Sequence, residues 1–68
     1  PMHQLRRYFT YDHLPAGPLR RTSAHFAALA AVLDADLPDG AEKTVSLRKL
    51  LEAKDAGVRA ALDIAKEG

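Results

Sequence analysis

The sequence predicts an all-α fold in which a short N-terminal segment precedes an antiparallel hairpin of two helices. Alanine and leucine recur at helical spacing over two long stretches, and a Leu-Pro-Asp-Gly turn separates those stretches. No segment alternates apolar and polar residues as a half-buried strand does. We expect the helices to cover about 18–37 and 41–66, within a single domain that spans residues 1–68.

Residues 2–17 are predicted to form an N-terminal arm and turn. The arm is rich in aromatic and basic side chains, and we expect Phe9 to enter the core because a ring near a terminus is more often an anchor than a ligand contact. The stretch from Leu14 to Pro18 contains two prolines and a glycine, which interrupt regular structure. Pro1 ahead of Met2 is interpreted as the remnant of a cleaved purification tag.

The first helix is expected to begin at Pro18, because proline tolerates the first helical position, and to end before Pro38. The second is expected to begin at Ala41 and to carry an apolar stripe, with a charged face turned to solvent. The stripe comprises Val45, Leu47, Leu50, Leu51, Val58, Ala61, Leu62, Ile64 and Ala65, and the solvated face Lys49, Glu52, Lys54, Asp55, Arg59 and Asp63.

The chain has 68 residues and no cysteine, so a homo-oligomer is expected. A core of this size rarely supplies more than about 3 to 5 kcal/mol, and neither disulfides nor thiolate metal sites can add to it. A hairpin also has one internal contact face, which leaves apolar surface on both helices for a second copy of the chain.

Charge and hydropathy exclude several partners. The net charge of +1 argues against binding long nucleic acid through bulk electrostatics, so a DNA-binding hairpin ranks third among the functional hypotheses. No segment reaches the roughly 18 apolar residues of a membrane span, and no signal peptide is evident. We therefore expect a cytoplasmic protein without membrane partners.

The spacing of the polar residues argues against catalysis. His3, His13 and His25 lie ten and twelve positions apart, so none forms the i, i+3 or i, i+4 pair of a helical zinc site. There is no glycine-rich phosphate loop, and the two serines lack an evident triad. We expect no enzymatic activity, no metal and no cofactor.

The aromatic and basic arm is the candidate binding region. Tyr8 and Tyr11 could stack on nucleobases, and Arg20 and Arg21 could bind phosphate oxygens at the start of the first helix. His25 is at least as consistent with an interface histidine as with a phosphate donor. Composition alone favours a plainer alternative, in which a ring plugs the end of the hairpin and the arginines are solvated.

A second polar cluster opens the second helix. Its members are Lys43, Thr44, Ser46 and Arg48. The hydroxyl groups could bind a phosphate or ribose, or they could bond to the preceding turn, and the second reading is favoured.

Two stretches of the chain resemble the phage anti-CBASS cyclic-oligonucleotide sponges. They are Phe9-Thr10-Tyr11-Asp12-His13-Leu14-Pro15 and Leu37-Pro38-Asp39-Gly40-Ala41-Glu42-Lys43-Thr44-Val45-Ser46-Leu47-Arg48-Lys49-Leu50-Leu51-Glu52-Ala53. The family carries an aromatic-x-Tyr-His-x-Pro stretch before its first long helix, and a Pro…Glu-Lys/Arg…Ala-Leu-x-x-Leu-x-Glu-Ala pattern opens its second. Here Asp12 separates Tyr11 from His13, whereas the commoner family form has the two adjacent.

The resemblance implies a compact hexamer of hairpins that performs no chemistry. Such proteins sequester cyclic dinucleotides such as cyclic GMP-AMP, and some members also sequester cyclic trinucleotides, which blocks CBASS immune signalling in the host bacterial cytoplasm. By this resemblance Tyr11 stacks on a base, His13 belongs to the motif that follows, and Arg20 or Arg21 contacts phosphate. The alternative is a structural or protein-interaction oligomer without a nucleotide ligand.

Overall fold

The computed structural model describes residues 2–67, with the side chains described up to residue 64. A short N-terminal helix of 3-10 geometry spans Gln4–Phe9, α1 spans Pro18–Asp36 and α2 spans Ala41–Glu67. Pro1 and the side chain of Ala65 lie outside the described part. The predicted helical hairpin is confirmed, and its helix ends fall within a residue of those expected.

The hairpin ends are set by proline and glycine. Pro18 opens α1 after Gly17, whose φ of 115° lies in a region that favours glycine. The amide of Leu37 closes α1 by donating to the carbonyl of Leu33, and Gly40, with φ of 154°, precedes α2. This tight connection makes the two helices antiparallel neighbours.

The arm contains regular structure that the sequence did not predict. Its N-terminal helix lies across both long helices, and Phe9 at its end is only 3% exposed, which confirms its expected place in the core. Phe9 clusters with Ala30 of α1 and Leu47 of α2. The hydrophobic residues packed around these three are Leu5, Phe26, Ala27, Leu33, Leu50 and Leu51. A tertiary contact therefore holds a segment that has little helical periodicity of its own.

A buried polar cluster fixes the other end of the N-terminal helix. Asp34 accepts hydrogen bonds at Oδ2 from the backbone amide of His3 (2.9 Å) and from the Arg6 guanidinium (3.2 Å). The Lys43 ammonium lies 2.9 Å from Oδ1 of Asp34, as an ion pair without hydrogen-bond geometry, and donates to the Asp34 carbonyl at 2.8 Å. Asp34 thus connects all three helices.

Asp34 and Lys43 of this cluster both have shifted pKa values. The His3 amide, followed by the Lys43 side chain, holds the pKa of Asp34 well below its usual value. The Asp34 carboxylate in turn raises the pKa of Lys43. Both groups are therefore charged in the folded protein at neutral pH.

Gly57 permits the close approach of α1 and α2. A Cβ atom at this position would lie 2.9 Å from Cε2 of Phe26 and 3.4 Å from Cγ2 of Thr22. Glycine is a poor residue for a helix interior, so its presence here has a packing reason rather than a conformational one.

Gly57→Leu is expected to destabilise the fold by about 1 to 3 kcal/mol, because the new side chain displaces the Phe26 ring from between the helices. Chemical denaturation followed by circular dichroism measures the change. Ala56→Leu is the matched control, since Ala56 is exposed and adjacent. Equal stability of the two variants would contradict the close packing at Gly57.

Within residues 2–67, neither long helix combines the length and the hydropathy that crossing a bilayer requires.

Candidate functional site

The candidate site is built around loop 10–17, which joins the N-terminal helix to α1. Its proline and glycine residues prevent it from continuing either helix. The amide of Leu14 donates to the carbonyl of Tyr11 at 3.1 Å, which closes a turn at the tip of the loop.

Three polar side chains of the long helices hold this loop in place. Arg20 donates from Nε and Nη2 to the Leu14 carbonyl, at 3.0 and 2.7 Å, and from Nη2 to the Asp12 carbonyl at 3.4 Å. Ser23 donates to the Thr10 carbonyl at 3.2 Å, and the Lys54 ammonium donates to the carbonyls of Tyr8 and Thr10. These side chains of α1 and α2 preorganise loop 10–17 by donating hydrogen bonds to its backbone carbonyl oxygens.

Loop 10–17 presents Tyr11 and His13 at the surface. Tyr11 is 36% exposed and His13 is also exposed. Arg20 of α1 bonds to the backbone of the same loop, at Asp12 and Leu14. The Nη1 group of Arg20 takes no part in the bonds that fix the loop, so the guanidinium retains donors for a ligand.

Tyr8 lies on the N-terminal helix, outside the loop. Its hydroxyl accepts a hydrogen bond from Nη2 of Arg7 at 2.9 Å, and the centre of the guanidinium lies 4.9 Å from the ring centroid. A base that stacked on Tyr8 would compete with this cation. Tyr11 forms no such contact among the described residues.

Two candidate residues of α1 lie together on its outer surface. Arg21 and His25 are four residues apart and both exposed, so they share one face of the helix. The intervening Ser23 is buried and points to loop 10–17. The structure therefore places the Arg20 side chain against loop 10–17 and Arg21 on a different surface of α1.

The polar residues predicted to cluster at the start of α2 are also separated by the fold: Thr44 bonds within the chain, whereas Arg48 is exposed. Thr44 accepts a hydrogen bond from Nε2 of His3 at 3.1 Å and donates to the Gly40 carbonyl at 3.3 Å. Nδ1 of His3 accepts from the Leu5 amide, which places the imidazole proton on Nε2. Thr44 thus bonds to the preceding turn, the favoured reading, and also holds the arm, whereas Arg48 is exposed.

A cleft of about 250 Å³ lies between loop 10–17 and α2. Its lining residues are His13, Leu14, Lys54, Asp55, Val58 and Arg59. Lys54 was expected on the solvated face of α2, and this expectation is wrong because the side chain is only 8% exposed. The N-terminal helix and loop 10–17 cover it, and the sequence did not predict that packing.

Lys54 and Arg59 are functional candidates that sequence reasoning missed. The helical period places Lys54 one turn before Val58 on the same side of α2, whereas Arg59, five residues beyond Lys54, is turned away from it. The available signal was a charged residue, Lys54, among the apolar stripe positions of α2. Without knowledge of the arm that covers it, such a residue is predicted to lie on the solvated face.

Metal ligands do not gather anywhere in the described part of the chain: no group of three histidine, aspartate or glutamate side chains comes together there. The fold and loop define the class of molecule as a two-helix hairpin closed by an N-terminal helix, with a surface cleft lined by basic groups. Comparison with protein-family models, with curated proteins and with solved structures returned no match for this chain.

Proposed function

We propose that this chain sequesters cyclic dinucleotides such as cyclic GMP-AMP, as a phage-encoded sponge that blocks CBASS immune signalling in the host bacterial cytoplasm. The observation that carries the proposal is the exposed Tyr11 beside His13 on a loop fixed by Arg20. Because the loop backbone is already ordered, little backbone entropy is lost when a base stacks on the Tyr11 ring, and such stacking contributes about 1 to 3 kcal/mol per base.

Self-association into a hexamer completes this proposal. Large apolar side chains remain exposed on both helices, among them Leu29 and Val32 on α1 and Leu62 and Ile64 on α2. The cleft of about 250 Å³ is also smaller than the roughly 300 Å³ or more that ligand pockets of this kind occupy. A second copy of the chain would supply the remaining walls, and a two-fold interface would match the near two-fold symmetry of a cyclic dinucleotide.

Tyr11→Ala is expected to abolish binding of cyclic GMP-AMP, because the stacking surface is removed. Isothermal titration calorimetry measures binding, and native mass spectrometry checks that the oligomer is unchanged. Tyr11→Phe is the matched variant, since it keeps the ring and loses only the hydroxyl, and we expect it to bind. Absence of binding by the unaltered protein, to any cyclic di- or trinucleotide at micromolar concentration, would refute the proposal.

A structural or protein-interaction oligomer is the second candidate, and the exposed apolar residues of both helices favour it equally. The two candidates differ in their response to nucleotides. A bound ligand at 100 times its dissociation constant adds about 2.7 kcal/mol to stability, whereas the structural oligomer should melt at the same temperature with and without nucleotide. A thermal-shift screen with cyclic di- and trinucleotides therefore separates them.

A further inference from the structure

The Lys54 ammonium is a nearly buried charge without a carboxylate partner. Lys54 is 8% exposed, and its ammonium donates to the carbonyl oxygens of Tyr8 and Thr10 and lies 5.9 Å from the centroid of the Phe9 ring. The ion pairs among residues 2–64 use the carboxylates of Asp34, Asp39 and Glu52, and none of them includes Lys54. Buried charges are normally paired, so this site lacks an anion.

The contrast with Lys43 makes the missing partner clear. Lys43 is buried to a similar degree, at 6% exposed, and it has both Asp34 and Asp39 as ionic partners. Lys54 instead lines the open cleft beside α2. Its two bonds to carbonyls leave one of its three N–H donors without a hydrogen-bond partner among the described residues.

Arg59 and His13 bring further donors to the same cleft. Arg59 is exposed and forms no ion pair within the part of the chain whose side chains are described. Its guanidinium can bind an oxyanion through two parallel N–H bonds. Asp55 lines the cleft as well and lies one turn before Arg59 on the same face of α2, but the ion pairs of the described side chains do not include it.

We propose that this cleft is a phosphate subsite in which Lys54 and Arg59 bind the oxyanion and His13 closes the loop side. The volume of about 250 Å³ admits a phosphate with its attached sugar, but not a whole cyclic dinucleotide. The inference deepens the proposed function and rests on it for the identity of the ligand. It assigns the phosphate to residues other than Arg20 and Arg21, and leaves Tyr11, two residues before His13 in loop 10–17, for the base.

Arg59→Gln tests the subsite, because the substitution removes the charge and keeps a side chain of similar length. Nuclear magnetic resonance titrations of the full chain would use two probes, inorganic pyrophosphate and cyclic GMP-AMP. We expect saturable shifts at cleft residues with both probes, and about tenfold weaker binding in the variant, the loss of a charge-assisted hydrogen bond. Lys49→Gln is the matched control, since Lys49 is exposed on α2 outside the cleft, where it pairs with Glu52.

The outcomes distinguish this proposal from the proposed function. Pyrophosphate binding in the cleft without cyclic GMP-AMP binding would keep the subsite and remove the cyclic dinucleotide as its source. Cyclic GMP-AMP binding that leaves the cleft resonances and the Arg59→Gln affinity unchanged would overturn the subsite and keep the function. If neither probe binds, the subsite proposal fails and Lys54 acts only to fix the carbonyls of Tyr8 and Thr10, whereas the proposed function is decided by the full set of cyclic di- and trinucleotides. Lys54→Met, tested for stability alone, measures that structural role.

Discussion

Phe9→Ala is expected to lower the free energy of unfolding by about 3 to 5 kcal/mol, the usual cost of removing a buried aromatic ring. Phe9 joins the N-terminal helix to Ala30 and Leu47, and it is 3% exposed. A core of this size supplies about as much stability in total, so the isolated chain should lose its cooperative unfolding transition. Urea denaturation followed by far-ultraviolet circular dichroism measures the loss.

Met2→Ala is the control for this experiment, because Met2 is a large apolar residue of the same segment and is exposed. We expect it to change stability by less than about 0.5 kcal/mol. If Phe9→Ala unfolded at the same urea concentration as Met2→Ala, the N-terminal helix would not be part of the core. Loop 10–17 would then lack one of its two fixed ends.

Asp34→Asn is expected to be the most destabilising change at a polar position, with a loss that depends on pH. The amide side chain retains an acceptor for the His3 amide, but it leaves Arg6 without a negative partner and Lys43 with Asp39 alone. The pKa of Asp34 is lower in the folded chain than in the unfolded one, where it takes its ordinary value of about 3.8. Its contribution to stability is therefore complete above that value and is lost as pH falls below it.

Urea unfolding of both proteins between about pH 7 and about pH 2 measures this dependence. The unaltered protein should lose stability as pH falls through the region below 3.8, and Asp34→Asn should show a smaller slope there. Asp36→Asn is the control, since Asp36 is exposed and close by on α1. Parallel pH profiles for the unaltered protein and Asp34→Asn would refute a charged, paired Asp34.

Lys43 makes stability depend on pH at the alkaline end of the range. Its pKa is raised in the folded chain by the Asp34 carboxylate, so its contribution is complete below the ordinary value of 10.5 and is lost as pH rises through the folded-state value. The Asp34–Lys43 pair thus stabilises the fold over a broad range around neutral pH, between the two ordinary pKa values.

A confirmed phosphate subsite would change which residues the proposed sponge uses to bind the phosphate of its ligand. Arg20 would serve to shape loop 10–17 through the carbonyls of Asp12 and Leu14, and Lys54 and Arg59 would carry the charge recognition. Different residues at one fixed loop would then bind the base and the phosphate. Each half of the ligand could be tested by its own substitution, Tyr11→Ala or Arg59→Gln.

The sequence alone determined the helical hairpin, because its signals are local. Alanine and leucine at helical spacing, Pro18 at a helix start and the turn from Leu37 to Gly40 each act within a few residues. It also predicted that Phe9 enters the core and that Tyr11 is a better ligand candidate than Phe9, whereas His13 was a candidate through the family resemblance alone.

Only the tertiary structure decided what covers Lys54, how Asp34 and Lys43 are paired and why Gly57 is needed. Each depends on residues far apart in the chain: Lys54 bonds to residues more than 40 positions away, and the Asp34 cluster joins all three helices. A charged residue on a helix is read from sequence as solvated unless the element that buries it is known. The element that buries Lys54 is the N-terminal helix. Phe9 and Asp34 hold this helix in place, and its own sequence carries no strong helical signal.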